Sequence, residues 1–542
     1  MAISGAYLTF SLLVSILVFG SFGTVANSME NGDLSDLGSI NSSQSLASLK
    51  VNKLWKGLNI FSAAEVRETD GSMTYLPPVN PPDVTIAAGE GHVAQLVHTS
   101  IQIWDKTGKF LKKQSLYDFF NVDKSHHITD PKIIYDSTSN RWFAVIVDGG
   151  ITTVLKNGSA YPSCLPDGCR VALAISQGFD PTKQWSNISV NSSKSDRFPD
   201  QPNIAANKFN LLLTTTEFNI HKLNPFLRSD EIESSDREHA QNVTKPFVLD
   251  TNVELTGGFP KTYVISKDVL FGDKKIIISE KNKFDTDEPV IPISFINTSK
   301  CSSTASPIKE NPNYELSPIT EIKIIDRCSP TDAGFKNEKN ILIPKLFPSP
   351  PFKQRFLNDE GKAEEIRLFS AIRTDKSIWV ALHSACEASF QSNHSCIDII
   401  KFDNVTIKHQ PIGLNYAYNL SGYTKFNLNG TDFYYPSIGV SKDGKLVFIA
   451  GFSNSTTHPS LIVSKLISEN VTQYKYLANG TNINTSKSYG DYFGSAIDPI
   501  DGSVWLSGQY VDRSVSIPSN FPIEDVSRLS NETWDTIVAN VS

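Results

Sequence analysis

The chain has 542 residues and a mass of 59.8 kDa, and its 39% hydrophobic and 20% charged residues are ordinary for a globular protein that buries a core. Its formal net charge of -7 and pI near 5.9, with Lys and Arg scattered along the chain, give no surface that would neutralise phosphates. Nucleic-acid binding is therefore not expected. The length accommodates several domains or one large repeat fold.

The first 28 residues have the pattern of an export signal. The uncharged apolar run AYLTFSLLVSILVFGSFG begins at Ala6, and the small residues ANS follow at Ala26. No Lys or Arg precedes the run, and its length is near the minimum for a membrane span. Two interpretations stay open: a signal peptide over residues 1–28, which is favoured, or a retained N-terminal anchor, the chain's one predicted membrane contact. Both predict a secreted or cell-surface protein, with a flexible lead-in over residues 29–72.

Export also predicts glycans and disulfides. Sixteen Asn-x-Ser/Thr sequons occur between Asn41 and Asn540, although an Asn- and Ser-rich chain also forms sequons by chance. The predicted glycosylation sites include Asn157, Asn187, Asn242, Asn404, Asn429, Asn454 and Asn479. Six cysteines allow fifteen pairings, and their local spacing favours loop staples. The local pairs are Cys164 with Cys169, Cys301 with Cys328, and Cys386 with Cys396.

Six segments of the chain repeat one pattern, in which a short apolar strand, a turn containing Asp, Asn, Gly or Thr, and a second apolar strand follow one another. They begin at Pro81, Asp130, Gln201, Arg367, Tyr435 and Tyr492. The pattern predicts β-hairpins. Because one hairpin cannot bury both faces, the copies must stack, which favours an all-β fold and a β-propeller.

We predict one propeller domain over residues 73–542, with six blades and insertions around residues 223–365. The gap between the third and fourth copies leaves room for a seventh blade. The last strand, WDTIVANV from Trp534, is predicted to close the ring beside the early strand MTYLP from Met73. Trp142, Trp379 and Trp505 occupy equivalent positions in their repeats, so we expect them to pack between blades.

The succession PPDVTIAAGEGHVAQLVH, DPKIIYDSTSNRWFAVI, FPDQPNIA and GDYFGSAIDP resembles the secreted β-propeller proteins of bacteria and archaea that are loosely grouped with sialidase-like propellers. The resemblance runs from Pro81 to Tyr510 and is weakest between Leu223 and Glu365. It implies the fold and export, and no general activity. The chain departs from true sialidases, because SKDGKLVF at Ser441 lacks the Asp-box spacing and no set of three arginines is identified.

An Asp stands beside Pro or an aromatic residue just before the first strand of several repeats, at positions that would meet at one mouth of a propeller channel. These residues are Asp83, Asp130, Asp200, Asp432 and Asp491. Three interpretations stay open. Each Asp caps a turn, which is the favoured interpretation; or Asp130, Asp200 and Asp491 bind calcium through their carboxylates; or two carboxylates act as an acid/base pair in glycoside cleavage.

The leading functional prediction is a secreted or cell-surface binding module for an extracellular glycan or envelope protein, with calcium as a structural ion. The alternative is an extracellular polysaccharide hydrolase or lyase that uses carboxylates at the channel mouth, and a purely structural envelope component is a third. The sequence shows no G-x-S-x-G elbow, P-loop or dinucleotide fingerprint. His126 and His127 are expected to be solvated loop residues near the same mouth.

Overall fold

The structure of the chain is a computed structural model. It describes residues 13–15, 48–67, 72–154, 160–164, 168–191, 197–206, 210–219, 245–246, 259–266, 292–297, 321–326, 340–342, 369–374, 377–385, 395–410, 413–428, 430–454, 456–468, 471–481, 490, 492–512, 517–518, 521 and 533–542. This part of the chain is nearly all β, with two helices of five residues each. Among these residues, no helix has the length and apolar character needed to cross a membrane.

The elements of the N-terminal half, in chain order, are β1 (Leu13–Ser15), β2 (Val51–Asn59), α1 (Ile60–Ala64), β3 (Glu65–Arg67), β4 (Met73–Tyr75), β5 (Thr85–Ala88), β6 (His92–Val97), β7 (Ser100–Asp105), β8 (Phe110–Ser115), α2 (Leu116–Phe120), β9 (His126–Asp136), β10 (Arg141–Val154), β11 (Ala160–Pro162), β12 (Arg170–Ser176), β13 (Trp185–Asn191), β14 (Arg197–Ala206), β15 (Asn210–Asn219), β16 (Lys245–Pro246) and β17 (Phe259–Ser266). The C-terminal half continues with β18 (Pro292–Asn297), β19 (Glu321–Asp326), β20 (Asn340–Leu342), β21 (Ser370–Arg373), β22 (Ser377–Ala385), β23 (Ser395–Gln410), β24 (Gly413–Phe426), β25 (Thr431–Val440), β26 (Leu446–Asn454), β27 (His458–Ser468), β28 (Val471–Gly480), β29 (Gly494–Ile497), β30 (Val504–Tyr510) and β31 (Asp535–Val541).

Six antiparallel sheets contain the six predicted hairpins as their first two strands. In strand order they are sheet I (β5-β6-β7-β8), sheet II (β9-β10-β12-β13, with β11 beside β10), sheet III (β14-β15-β17), sheet IV (β21-β22-β23-β24), sheet V (β25-β26-β27-β28) and sheet VI (β29-β30-β31-β2). The hairpin predictions are confirmed for all six copies. Four strands in meander order are typical of a propeller blade.

The first strands of neighbouring sheets contact one another near the beginning of β21, β29 and β5, and at or just after the register shift in the longer strands β9, β14 and β25. The contacts that join one start to the next are Ile438 N donating to Ser370 Oγ at 3.0 Å, Ser437 Oγ bonded to Ser495 Oγ at 2.8 Å, Gly494 packed against the backbone of Thr85 and Ile86, and Gln201 N donating to Asp130 Oδ2 at 3.2 Å. We call the side of the molecule where these strands begin the entry face, and the opposite side the turn face.

Apolar layers between the sheets explain why the inner strands are hydrophobic on both sides. In β26, seven residues from Leu446 to Phe452 are buried without alternation. Buried clusters join sheet IV to V, V to VI, VI to I, I to II, and II to III. The three tryptophans lie in these layers, as predicted. Trp142 faces the preceding sheet, whereas Trp379 and Trp505 face the following one.

The closing strand of sheet VI is not the predicted one. β31 pairs with β2, from Val51 opposite Val541 to Asn59 opposite Asp535, whereas Met73–Tyr75 pairs with Glu65–Arg67. The N- and C-terminal parts of the chain do share one sheet, but through an earlier segment. Residues 51–67, which the sequence assigned to a flexible lead-in, therefore form strand, helix and strand, because β2 supplies the fourth strand that covers β31.

The turns at the turn face depend on aspartates that accept backbone N–H groups two residues later, as Asp does in Asx turns. The recurrent contacts are Thr107 N to Asp105 Oδ1 at 2.8 Å, Thr138 N to Asp136 Oδ1 at 3.2 Å, Thr182 N to Asp180 Oδ1 at 2.9 Å, Lys445 N to Asp443 Oδ1 at 3.3 Å and Ile500 N to Asp498 Oδ1 at 2.9 Å. These turn-capping aspartates lie on the turn face, away from the entry face.

The remaining predictions for the fold concern cysteines and the long gap. Cys164 and Cys169 form the predicted disulfide, and Cys396 is also disulfide-bonded. Cys301, Cys328 and Cys386 lie outside the described residues. Between sheets III and IV the structure describes β18 and β19, which pair in parallel next to β16, and β20, which pairs with β1. The number of blades, six or seven, stays a prediction.

Candidate functional site

An unusual backbone conformation recurs at the entry face, one or two residues before the core of a first strand. Asp83, Asp130, Gln201 and Tyr435 all have a left-handed φ, at 50°, 56°, 48° and 53°. The last three each precede a proline, and the ladder shifts register at each of them. A left-handed non-glycine residue costs about 1–2 kcal/mol. Such outliers concentrate at functional sites when the surrounding structure holds them.

One of these left-handed residues, Asp83, forms a buried pair with His98. Asp83 Oδ2 lies 3.2 Å from His98 Nδ1, and the side chains are 2% and 4% exposed. His98 Nε2 lies 2.7 Å from Ile128 O, and because a carbonyl only accepts, Nε2 carries a proton. The pair is therefore a buried carboxylate in contact with an imidazole ring that donates through Nε2 to a carbonyl. Asp83 Oδ1 has no hydrogen-bond partner in the part of the chain that the structure describes.

The second buried carboxylate of the mouth is Asp130, which is 4% exposed and accepts the Gln201 N–H. His127 precedes it by three residues and is half-buried. Burial lowers the pKa of His127, and the charge of His98 lowers it further, while Asp130 acts in the opposite direction. His127 is therefore a neutral imidazole, able to donate from one ring nitrogen and to accept at the other.

Three half-buried side chains at the entry face offer a cation, an amide and an aromatic ring. The Lys132 ammonium lies 2.7 Å from the centroid of the Tyr492 ring, and Tyr492 Oη donates to Pro131 O at 3.2 Å, which joins sheet VI to sheet II. Lys132, Gln201 and Tyr435 are half-buried. We call these three side chains the rim. They lie at or next to the left-handed positions of sheets II, III and V, and Asp83, His98 and Asp130 are called the buried layer.

The aspartates predicted from the sequence differ in burial and in their contacts. Asp83 and Asp130 are both in the buried layer, Asp200 is half-buried next to Gln201, and Asp432 accepts the Ser395 N–H at 2.9 Å in the manner of a cap. Asp491 lies outside the described residues. Among described residues, no group of three or more His, Cys, Asp or Glu side chains surrounds one point. The calcium site at Asp130, Asp200 and Asp491 stays a prediction.

The sequence predicted the aspartates of the candidate site but not most of the other residues around them. His98 lies in the turn between β6 and β7, and nothing in its local sequence marks it as the partner of Asp83. Gln201 and Tyr435 carry a usable signal, because each stands before a proline at the position that Asp130 occupies in its own repeat. Tyr492 follows Asp491, and its role appears only when sheets II and VI meet.

No protein-family model and no curated protein matches the chain in sequence. Solved structures with some similarity include a protein of unknown function from Dyadobacter fermentans (8% identity, TM-score 0.31, covering 78% of this chain and 96% of that one) and an α-L-arabinanase from Cellvibrio cellulosa (9%, 0.27, 73% and 96%). Trypanosoma rangeli sialidase in complex with sialic acid gives 8% identity, a TM-score of 0.35, and 91% and 59% coverage, so the chain spans little more than half of it. Similarities this low assign no role to any residue of this chain.

Proposed function

We propose that the chain is an exported, glycosylated β-propeller that binds an extracellular glycan, free or carried by an envelope protein, at the mouth on its entry face. The six sheets are its blades, and sheet VI closes the ring through β2 and β31. The protein is secreted or held at the cell surface. The resemblance to sialidase-like propellers seen in the sequence agrees with this architecture.

The observation that supports glycan binding is the chemistry of the rim over the buried layer. Sugars offer hydroxyl groups to polar side chains and C–H faces to aromatic rings, and ligand sites combine such surfaces with a few fixed polar groups. Gln201 supplies an amide, Lys132 a cation and Tyr435 a ring, each half-buried and held by a backbone that the sheets constrain. The layer below carries an unpaired acceptor at Asp83 Oδ1.

The competing function is hydrolysis or elimination in a polysaccharide, with Asp83 and Asp130 as the carboxylates. Both are buried, one in contact with an imidazole ring and the other accepting an N–H, which is the environment of a structural carboxylate. A general acid or base must also reach the scissile bond within hydrogen-bond distance. We therefore favour binding, with calcium near Asp130 as an additional structural ion of the proposal.

Replacing Lys132 with methionine is expected to weaken glycan binding about tenfold, because the ammonium is lost while the stem remains. The chain from residue 29 is applied to an array of neutral and acidic extracellular glycans, with and without chelator. Dissociation constants are then measured for the best ligands, and the incubated glycans are analysed by mass spectrometry. The matched control is Lys109→Met, an exposed lysine on the turn face.

Retention without new products supports the binding module. New products would show turnover and replace this proposal with the hydrolase or lyase. If no glycan is retained, or if Lys109→Met weakens retention as much as Lys132→Met, the mouth is not the binding site.

Glycan occupancy should follow side-chain exposure. Asn187 and Asn479 are exposed, and Asn454 is half-buried. Asn540 is 4% exposed and its Nδ2 donates to Ser503 Oγ at 2.6 Å, so a glycan cannot be placed there in this fold. Asn404 lies in β23, and Asn157, Asn242 and Asn429 lie outside the described residues.

We therefore expect glycopeptides that contain Asn479 and none that contain Asn540. Peptide mass spectrometry after enzymatic deglycosylation in heavy-oxygen water measures this. A glycan at Asn540 would contradict the pairing of β2 with β31, and a secreted sample without any glycan would contradict the glycoprotein prediction.

A further inference from the structure

A second polar cluster lies at the entry face, on sheet II and apart from the mouth. Its centre is Asp148, near the end of the regular part of β10, whose side chain is 1% exposed. His126 Nδ1 lies 2.8 Å from Asp148 Oδ1, and Arg170 Nε lies 2.7 Å from Asp148 Oδ2. One buried carboxylate thus holds two basic side chains, one on each oxygen.

Both basic side chains reach the surface. The side chains of His126 and Arg170 are 17% and 27% exposed, and because they bond the two oxygens of one carboxylate they emerge side by side. Asp148 uses only the Nε–H of Arg170, which leaves the two terminal nitrogens of the guanidinium for another partner. His126 Nδ1 is bonded to Asp148, so Nε2 is the ring nitrogen that remains for a ligand.

The local backbone fixes this arrangement. The ladder between β9 and β10 shifts register between Asp148 and Ile151, and Gly150, with φ at 70°, donates its N–H to Asp148 Oδ1 at 3.0 Å. Arg170 directly follows the disulfide-bonded Cys169 and begins β12. A bulge of this kind often redirects a side chain next to a functional site. The groups are therefore positioned before any ligand arrives.

The charged and titratable groups around His126 define what the cluster attracts. Besides Asp148 and Arg170 they are Tyr117 of α2, whose Oη donates to His126 O at 3.2 Å, and the exposed Asp123, whose carbonyl accepts the His126 N–H. Burial, together with the charge of Asp148, raises the pKa of Tyr117 to about 12, so it is a neutral donor. The guanidinium fork of Arg170 is the principal charged donor that the cluster offers to a ligand.

We infer that His126 and Arg170, held by Asp148, form a subsite for the carboxylate of an acidic sugar such as a uronic acid. A guanidinium presents two parallel N–H groups at the spacing of a carboxylate, which a lysine cannot do. His126 adds the ring nitrogen Nε2 to the same subsite. The subsite lies on the same face as the mouth, so it rests on the proposed glycan-binding function and narrows it to acidic glycans.

The first test uses D-glucuronate as the probe and glucose as its neutral counterpart, on the chain from residue 29 labelled with carbon-13 at its histidine rings. The resonance of His126 is identified as the one that His126→Asn removes. Glucuronate is expected to shift this resonance and glucose to leave it unchanged. Arg170→Lys, which keeps a charge beside Asp148, is expected to weaken glucuronate binding at least tenfold, and the exposed Arg67→Gln is the matched control.

The affinity of a second variant gives a second readout. His126→Asn removes the ring nitrogen Nε2 and is expected to bind glucuronate more weakly than the wild-type protein. Equal binding of glucose and glucuronate, or wild-type affinity in Arg170→Lys, would overturn the subsite.

The experiments can overturn the proposed glycan-binding site at Lys132 and the acidic-sugar subsite at Arg170 independently of each other. If neutral glycans bind in a manner sensitive to Lys132→Met while glucuronate leaves His126 unaffected, the mouth stands and the subsite is wrong. If glucuronate binds through Arg170 while no glycan depends on Lys132, the subsite stands and the proposed mouth is wrong.

Discussion

Replacing Gln95 with leucine is expected to lower the free energy of unfolding by about 3 kcal/mol. Gln95 is fully buried in β6 and joins sheet I to the closing strands of sheet VI. Its Oε1 accepts the Leu58 N–H at 2.9 Å, and its Nε2 donates to Ser507 Oγ at 2.6 Å and Thr536 Oγ1 at 2.9 Å. Leucine has a similar volume, so the cost comes from the buried N–H of Leu58 that would lose its partner.

The measurement is chemical unfolding followed by tryptophan fluorescence, with Gln102→Leu as the control at a half-exposed glutamine of the neighbouring strand β7. The control should change the free energy of unfolding by less than about 0.5 kcal/mol. Equal stability of the two variants would mean that the contact between sheets I and VI does not hold the fold closed.

Stability should also fall as the pH rises, because of Asp535 at the start of β31. Burial raises the pKa of Asp535 to about 7, and the charge of Asp512 adds to this, while Lys56 opposes it. Its Oδ2 is buried without a hydrogen-bond partner in the described part of the chain. Between about pH 4 and about pH 7 the folded protein keeps this proton and the unfolded chain has lost it, so unfolding releases a proton. The free energy of unfolding therefore decreases across that window.

Asp535→Asn should remove this dependence and raise the free energy of unfolding above pH 7 by up to about 4 kcal/mol, with little effect below pH 4. Denaturant titrations at several pH values measure it. Glu90→Gln, at an exposed carboxylate in the turn between β5 and β6, is the matched control and should leave the wild-type slope unchanged. A wild-type slope that survives in Asp535→Asn would show that another group is responsible.

The sequence predicted the hairpins because their information is local. Each copy carries its two apolar strands and its turn within about twenty residues, and the structure places all six as predicted. β2 was missed because Lys53, Lys56 and Asn52 give it the polar composition of a lead-in, and its partner β31 follows nearly the whole chain later. No local pattern records a pairing of that kind.

The candidate site was also predicted only in part. The position of Asp130 before a proline recurs in the repeats, and Asp83 and Asp130 are both buried at left-handed positions next to their first strands, while their meeting at a channel mouth stays a prediction. Asp148 could not be recognised, because an Asp between apolar residues and two glycines has the pattern of a strand end. Its partners lie 22 residues away on either side, His126 beyond the bulge between β9 and β10 and Arg170 directly opposite Asp148 in β12.

The pairing of β2 with β31 also sets the order in which the molecule can be completed. Lys50 N donates to Ser542 O at 2.9 Å and Ser542 N donates to Lys50 O at 3.0 Å, so β2 needs a partner that is synthesised far later along the chain. A growing chain must carry β2 as a lone strand until β31 has been made. Lys53 and Lys56 on β2 discourage pairing with other chains during that interval. A change that removed β31 would therefore leave β2 without its neighbour in sheet VI.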